Sequence, residues 1–120
     1  MKALTDDQLW DRIRHLQGQV VLTPDQGRPN QVRAVSEELV EIEGRKANPS
    51  KHYLLWCYRL AMQHGILTKQ NLPEEFFNHR IARICMALLA AAVPEQIRAF
   101  PRGEGPVARL SGIGVYNKDC

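Results

Sequence analysis

The residues of this chain whose chemistry could reach beyond packing are three cysteines, four histidines and an uneven set of cations. Cys57, Cys85 and Cys120 are an odd set with no Cys-x-x-Cys pair, so neither a disulfide framework nor a thiolate metal site is expected. Cys57 and Cys85 fall within apolar helical patterns and read as buried thiols, whereas Cys120 is terminal. His15, His52, His64 and His79 lack the spacing that would put two imidazoles on one metal. His52 and Cys57 are five residues apart, which splits them between helix faces and leaves no base beside the thiol. There is no Gly-rich phosphate loop closed by Lys and Ser/Thr, and no His-Glu-x-x-His. Glu37, Glu38, Glu41 and Glu43 are divided between a turn and a strand, the pattern of a solvated hairpin. The expectation is a protein that is not an enzyme and holds no cofactor and no metal.

Charge is the property that remains. The net +3 conceals an asymmetry: residues 1–44 carry five Lys/Arg against eight Asp/Glu, a balance of −3, and residues 45–120 carry eleven against five, a balance of +6. A basic second half points to a polyanionic partner. Three of its cations, Arg45, Lys46 and Lys51, lie within seven residues around Pro49. They read either as a phosphate-contacting linker or as a solvated loop.

The elements that must position these groups follow from periodicity. At 44% hydrophobic and 24% charged residues, the composition is that of a globular chain. No apolar run reaches the roughly 18–20 residues of a membrane span, and the N-terminus turns acidic at Asp6-Asp7 without the apolar centre of a signal peptide. No membrane partner and a cytoplasmic location are therefore expected. Thr5-Asp6-Asp7-Gln8 fits a capping box, and Leu9, Ile13 and Leu16 make one stripe, so Asp6 to Gln17 is predicted helical with Gly18 as its stop. Trp10, beside the stripe, reads as packing in preference to a stacking platform. Gln19–Thr23, Gln31–Val35 and Leu39–Glu43 are short β-rich runs, the first two separated by a turn over Pro24–Asn30, and together they predict an antiparallel meander covered by the first helix.

After the join at 45–52, where Ser50 is a good N-cap, Tyr53–His64 is predicted to be a helix closed by Gly65. Ile66-Leu67-Thr68 is a very short strand. Lys69–Phe77 is a short or broken helix limited by Pro73. His79–Ala92 is the next helix, with Ile81, Ile84, Cys85, Leu88 and Ala92 on its buried face and Arg80, Arg83 and Ala87 on another. Gln96–Phe100 alternates. A turn over Pro101–Pro106 follows, then the return runs Val107–Leu110 and Ile113–Tyr116, with Ser111-Gly112 as a bulge or bend. The predicted class is α+β: an N-terminal helix on a small antiparallel meander (1–44), a basic linker (45–52) and a second lobe (53–120), or all three as one compact domain.

The order helix, short strand, helix, helix, hairpin over residues 53–116 resembles the winged helix-turn-helix superfamily. That resemblance implies that His79–Ala92 is the recognition helix and that the Pro101–Pro106 tip is the wing. Asn78, His79, Arg80 and Arg83 would then face duplex DNA and Arg102 would touch its backbone, with Arg45, Lys46 and Lys51 adding phosphate contacts. The chemistry suits these types: arginine bridges two acceptors on guanine or grips a phosphate, and asparagine reads adenine. Against it stand Glu104 in the wing and the alanines at 87 and 90, since a small-residue helix face also suits close packing on a protein. The leading expectation is a regulatory or accessory DNA-binding protein. The alternative is an adaptor that docks a protein partner or a second copy of itself.

Overall fold

The computed structural model describes residues 3–23, 29–44, 48–68, 79–100 and 112–115, with only the backbone at 79 and 80. The fold is α+β, as expected. Helix α1 (Asp6–Arg14) leads into the strands β1 (Val20–Leu22), β2 (Pro29–Val35) and β3 (Val40–Ile42). Helix α2 (Lys51–His64) is followed by β4 (Ile66–Thr68), α3 (His79–Ala92), β5 (Ile97–Phe100) and β6 (Gly112–Val115).

Local chemistry sets the helix ends. The Thr5 hydroxyl accepts from the Gln8 amide at 3.2 Å and the Gln8 side chain accepts from the Thr5 amide at 3.0 Å, completing the capping box. Helix α1 stops at Arg14, short of the expected Gln17, because the next turn tightens: Leu16 and Gln17 donate to the carbonyls three residues back, Ile13 and Arg14. That tightening buries Leu16 and frees the Gln17 carboxamide to accept from the Val35 amide at 3.0 Å. Helix α2 starts at Lys51 under the Ser50 cap, so Lys51 and His52 belong to the helix and not to a linker. Gly65 ends it in the left-handed region at φ 77°, where any Cβ is strained.

The first sheet is an antiparallel meander in the order β1-β2-β3. Strand β2 begins at Pro29, inside the expected turn; proline is tolerated there because it sits opposite Leu22 at the end of the ladder. The second sheet has the order β4-β6-β5, with both pairings antiparallel. Gly112 is a regular ladder residue between Thr68 and Phe100, not a bulge. A side chain there would collide with the Leu67 carbonyl oxygen and stand 3.0 Å from Thr68 Cγ2, so glycine is what permits this approach of the strands. The expected return strand Val107–Leu110, the wing tip at 101–106 and the segment 69–77 lie outside the described residues.

Both sheets share one core. Leu9, Trp10 and Ile13 of α1, Val21, Val32, Val40 and Ile42 of the meander, and Leu67, Ile97 and Ile113 of the second sheet belong to one buried cluster. Helix α3 joins them. It packs on α1 and α2, on β5 and β6, and on β1 of the meander. Helix α1 joins the meander through the Trp10–Ser36 and Gln17–Val35 hydrogen bonds and the shared cluster, as expected, and α3 also lies against both α1 and β1. On α3, Ile84, Cys85, Leu88 and Leu89 are fully buried, and Ala82, Met86 and Ala87 are nearly so. Ala87, expected on an outward face, is enclosed. Trp10 packs as expected, its indole N–H donating to the Ser36 carbonyl at 3.1 Å.

A buried polar chain ties the ends of the two halves together. The Tyr58 hydroxyl donates to Gln96 Oε1 at 2.7 Å and accepts from the Leu4 amide at 2.9 Å. Burial holds the phenol above its ordinary value of 10.0, partly opposed by the Leu4 hydrogen bond. A raised phenol stabilises the fold up to the unfolded-state value and loses that contribution as pH climbs through the folded-state value.

Two outcomes follow for chemical unfolding. Gly112→Ala lowers stability by roughly 2 kcal/mol, an overpacking cost, while Gly114→Ala, whose added Cβ meets nothing nearer than 3.9 Å, changes it little. Tyr58→Phe costs about 1–3 kcal/mol near neutral pH by removing the hydroxyl that accepts from the Leu4 amide and donates to Gln96 Oε1. It also flattens the fall in stability that the parent shows above the ordinary phenol value, measured as urea midpoints across alkaline pH.

Candidate nucleic-acid interface

Three of the residues expected to meet DNA lie on α3. The backbone turns helical at His79, so His79 and Arg80 occupy the first turn and Arg83 comes one turn later. Arg83 is exposed, and Ala91 is the other exposed position from residue 81 to the end of the helix. Between them Ala87 is covered. The outward strip of α3 is therefore interrupted after Arg83, since every position from Ile84 to Leu89 is buried. Asn78, Arg45, Lys46 and Arg102 lie outside the described residues, as do the side chains of His79 and Arg80.

Lys51 is held elsewhere. Its ammonium lies 5.5 Å from the centroid of the Trp10 ring, a cation–π contact between the start of α2 and α1. Its amide donates to the Glu38 carbonyl at 2.7 Å, and the Val40 amide donates to the Pro49 carbonyl at 2.9 Å. A bridge between Leu39 and Ser50 and a 2.9 Å bond from the Ile42 amide to Asn48 Oδ1 complete the stitching. Residues 48–51 thus run as an extension of the meander, and Lys51 serves first as a clasp between elements.

Several other cations are paired with acids. Arg12 meets Glu95 at 2.6 Å, Arg14 meets Glu37, Arg59 meets Asp6, and Arg33 faces Glu43 at 4.0 Å. These pairs are at the surface and contribute little stability each, but they lower the charge that the meander and the outer helices show to a polyanion. Arg98, exposed on β5 opposite Gly114, is a cation missing from the set expected to bind. Its signal is present in the alternation of Gln96–Phe100, which turns Arg98 away from Ile97. Val20 and Leu22 are missing from that set too. Both are exposed on β1, within a run that carries no formal charge from Leu16 to Pro24.

No protein family, curated protein or solved structure matches this chain. Among the described residues no three His, Cys, Asp or Glu side chains gather to hold a metal ion, and no helix is long and apolar enough to cross a membrane. Cys57 and Cys85 are free and buried between α2 and α3. Burial pushes the Cys85 thiol well up, and its hydrogen bond with Cys57 adds to the effect. Tyr53, beside this pair, is raised by burial and then by the two sulfurs. Thiolate is the reactive form, so Cys85 is held in the unreactive one. In a Cys120→Ser variant, neither remaining thiol is expected to react with a chromogenic disulfide reagent in the native protein, and both react once it is unfolded in urea.

Proposed function

We propose that this chain is a nucleic-acid-binding module built on a winged helix-turn-helix, with duplex DNA as its target and a regulatory or accessory role. The observation that carries the reading is the pairing of β4 with β6 in a sheet ordered β4-β6-β5 around α2 and α3. In a winged helix, the short strand ahead of the recognition helix pairs with the hairpin that bears the wing. The succession α2, β4, α3, β5, β6, with β4 beside β6, supports that reading.

The enclosure of α3 shapes the mode of binding. A helix lying lengthwise in a major groove needs a continuous open face, whereas this one is exposed at Arg83 and enclosed from Ile84 to Leu89. Helix-turn-helix proteins read base edges with the N-terminal residues of the recognition helix, and Asn78, His79, Arg80 and Arg83 are grouped there. In this proposal α3 enters the groove end-on. Arg83 and Arg80 grip phosphate or guanine, and Arg45, Lys46, Lys51 and Arg102 provide the surrounding positive field. A cytoplasmic location goes with this role and suits two reduced, buried cysteines. A protein-docking role is the second reading, favoured by the exposed apolar side chains of β1.

Binding of the reduced protein to a fluorescent mixed-sequence duplex tests the proposal. With four phosphate contacts, affinity falls about a hundredfold between roughly 50 and 200 mM salt. Arg80→Ala with Arg83→Ala weakens binding and lowers the salt slope by about 1 for each phosphate that no longer meets an arginine. Absence of binding at the lower salt overturns it.

A further inference from the structure

The edge of the meander offers an interaction surface independent of the nucleic-acid reading. Strand β1 pairs with β2 on one side, and no described strand lies on the other. Its hydrogen-bonding phase is set by its first residues: the Val32 amide donates to the Gln19 carbonyl at 2.8 Å, and the Gly18 amide donates to the Val32 carbonyl at 2.7 Å. Antiparallel ladders alternate. Gln19 and Val21 therefore turn their backbone groups toward β2, and Val20 and Leu22 turn theirs toward the open edge. The side chains of the same two residues are the exposed large hydrophobics of the described structure, at 53% and 59% of full exposure.

Exposed edges of natural sheets are commonly guarded by a lysine, an inward charge or a proline within the strand. None of these stands in Val20-Val21-Leu22, and no formal charge occurs between His15 and Asp25. The short length of β1 is its one restraint.

We propose that β1 is a self-association edge, pairing antiparallel with β1 of a second copy about a two-fold axis at Val21. The occupant is a second copy because the edge is complementary to itself. Antiparallel pairing centred on Val21 sets Val20 opposite Leu22 of the other copy, and Leu22 opposite Val20. These are the residues whose amides and carbonyls face outward, so both pairs close as hydrogen-bonded pairs. The same register gathers both copies' Val20 and Leu22 on one face as a four-residue apolar cluster, and it sets no charge against a like charge. The meander becomes a continuous six-stranded sheet. Two three-residue edges and four side chains make an interface below the roughly 1,200 Å² of standard complexes, so the dimer is weak and forms at high protein concentration.

Sedimentation equilibrium of the reduced Cys120→Ser protein, without nucleic acid, tests the pairing and its register. The expected result is a mass rising from 13.7 kDa toward twice that value as concentration increases. V20K alone and L22E alone stay monomeric, with unchanged circular dichroism because both positions are exposed. An equimolar mixture of V20K and L22E dimerises again, because the register sets the introduced ammonium of one chain against the introduced carboxylate of the other. A parent protein that stays monomeric up to near-millimolar concentration overturns the proposal, and so does V20K that dimerises like the parent. A mixture no more associated than its separate components overturns the antiparallel register. None of these results depends on whether the chain binds DNA.

Discussion

The burial of α3 is the constraint on which the other elements depend. Ile84, Cys85, Leu88 and Leu89 are shut off from solvent, as are Val93 just beyond the helix and the partners Leu54, Leu67, Ile97 and Ile113. Burying an aliphatic side chain of this size is worth about 1.5–3 kcal/mol, so this one helix gathers much of the stabilising free energy. A helix apolar on nearly all sides must be surrounded, and α1, α2, β1, β5 and β6 supply the surround. Its alanines matter here. Ala82, Ala87 and Ala92 carry little bulk, which lets neighbouring backbones approach closely, and they give the helix high intrinsic propensity.

That arrangement limits how the chain can act. The core helix of a domain is a poor surface, and beyond its first turn the positions this one leaves exposed are Arg83 and Ala91. The charges around it are not distributed as the raw asymmetry suggests. Arg12, Arg14 and Arg59 are engaged with Glu95, Glu37 and Asp6, which links elements distant in sequence. Lys51 lies over an indole ring. A positive field, where it acts, is drawn from fewer side chains than the composition counts.

Features governed by neighbours in sequence are legible without the structure. The Thr5–Gln8 box, the Ser50 cap, the Gly65 stop and the meander depend on residues a few positions apart. The short Ile66–Thr68 strand is also readable, although its pairing with Gly112–Val115 is a long-range contact. The features that escape depend on long-range contact. A helical wheel places Ala87 with Arg80 and Arg83, and alanine is compatible with either side; only the arrival of other elements decides that it is enclosed. The clasp of Lys51 on Trp10 joins residues in separate helices, so no local pattern announces it. Gly112 reads as a bulge because a glycine in a strand usually marks one, while here it answers the approach of the Leu67 carbonyl across the sheet. Of the candidate site, the residue types are legible and the openness of their surroundings is not.

The contact between α3 and β1 also bears on how the chain is made. The meander is complete in sequence by Ile42, but part of the cover for its inner face arrives with a helix that ends at Ala92. During synthesis the N-terminal part of a chain emerges first and folds first where it can. Here Val21, Val32, Val40 and Ile42 have to wait, with their apolar faces incompletely covered, until about fifty further residues have left the ribosome. The nascent chain passes through an interval in which half of it has its secondary structure specified but its core unfinished. The order of the elements thus makes the vectorial stage of folding the time of greatest exposure to a chaperone or to a neighbouring nascent copy.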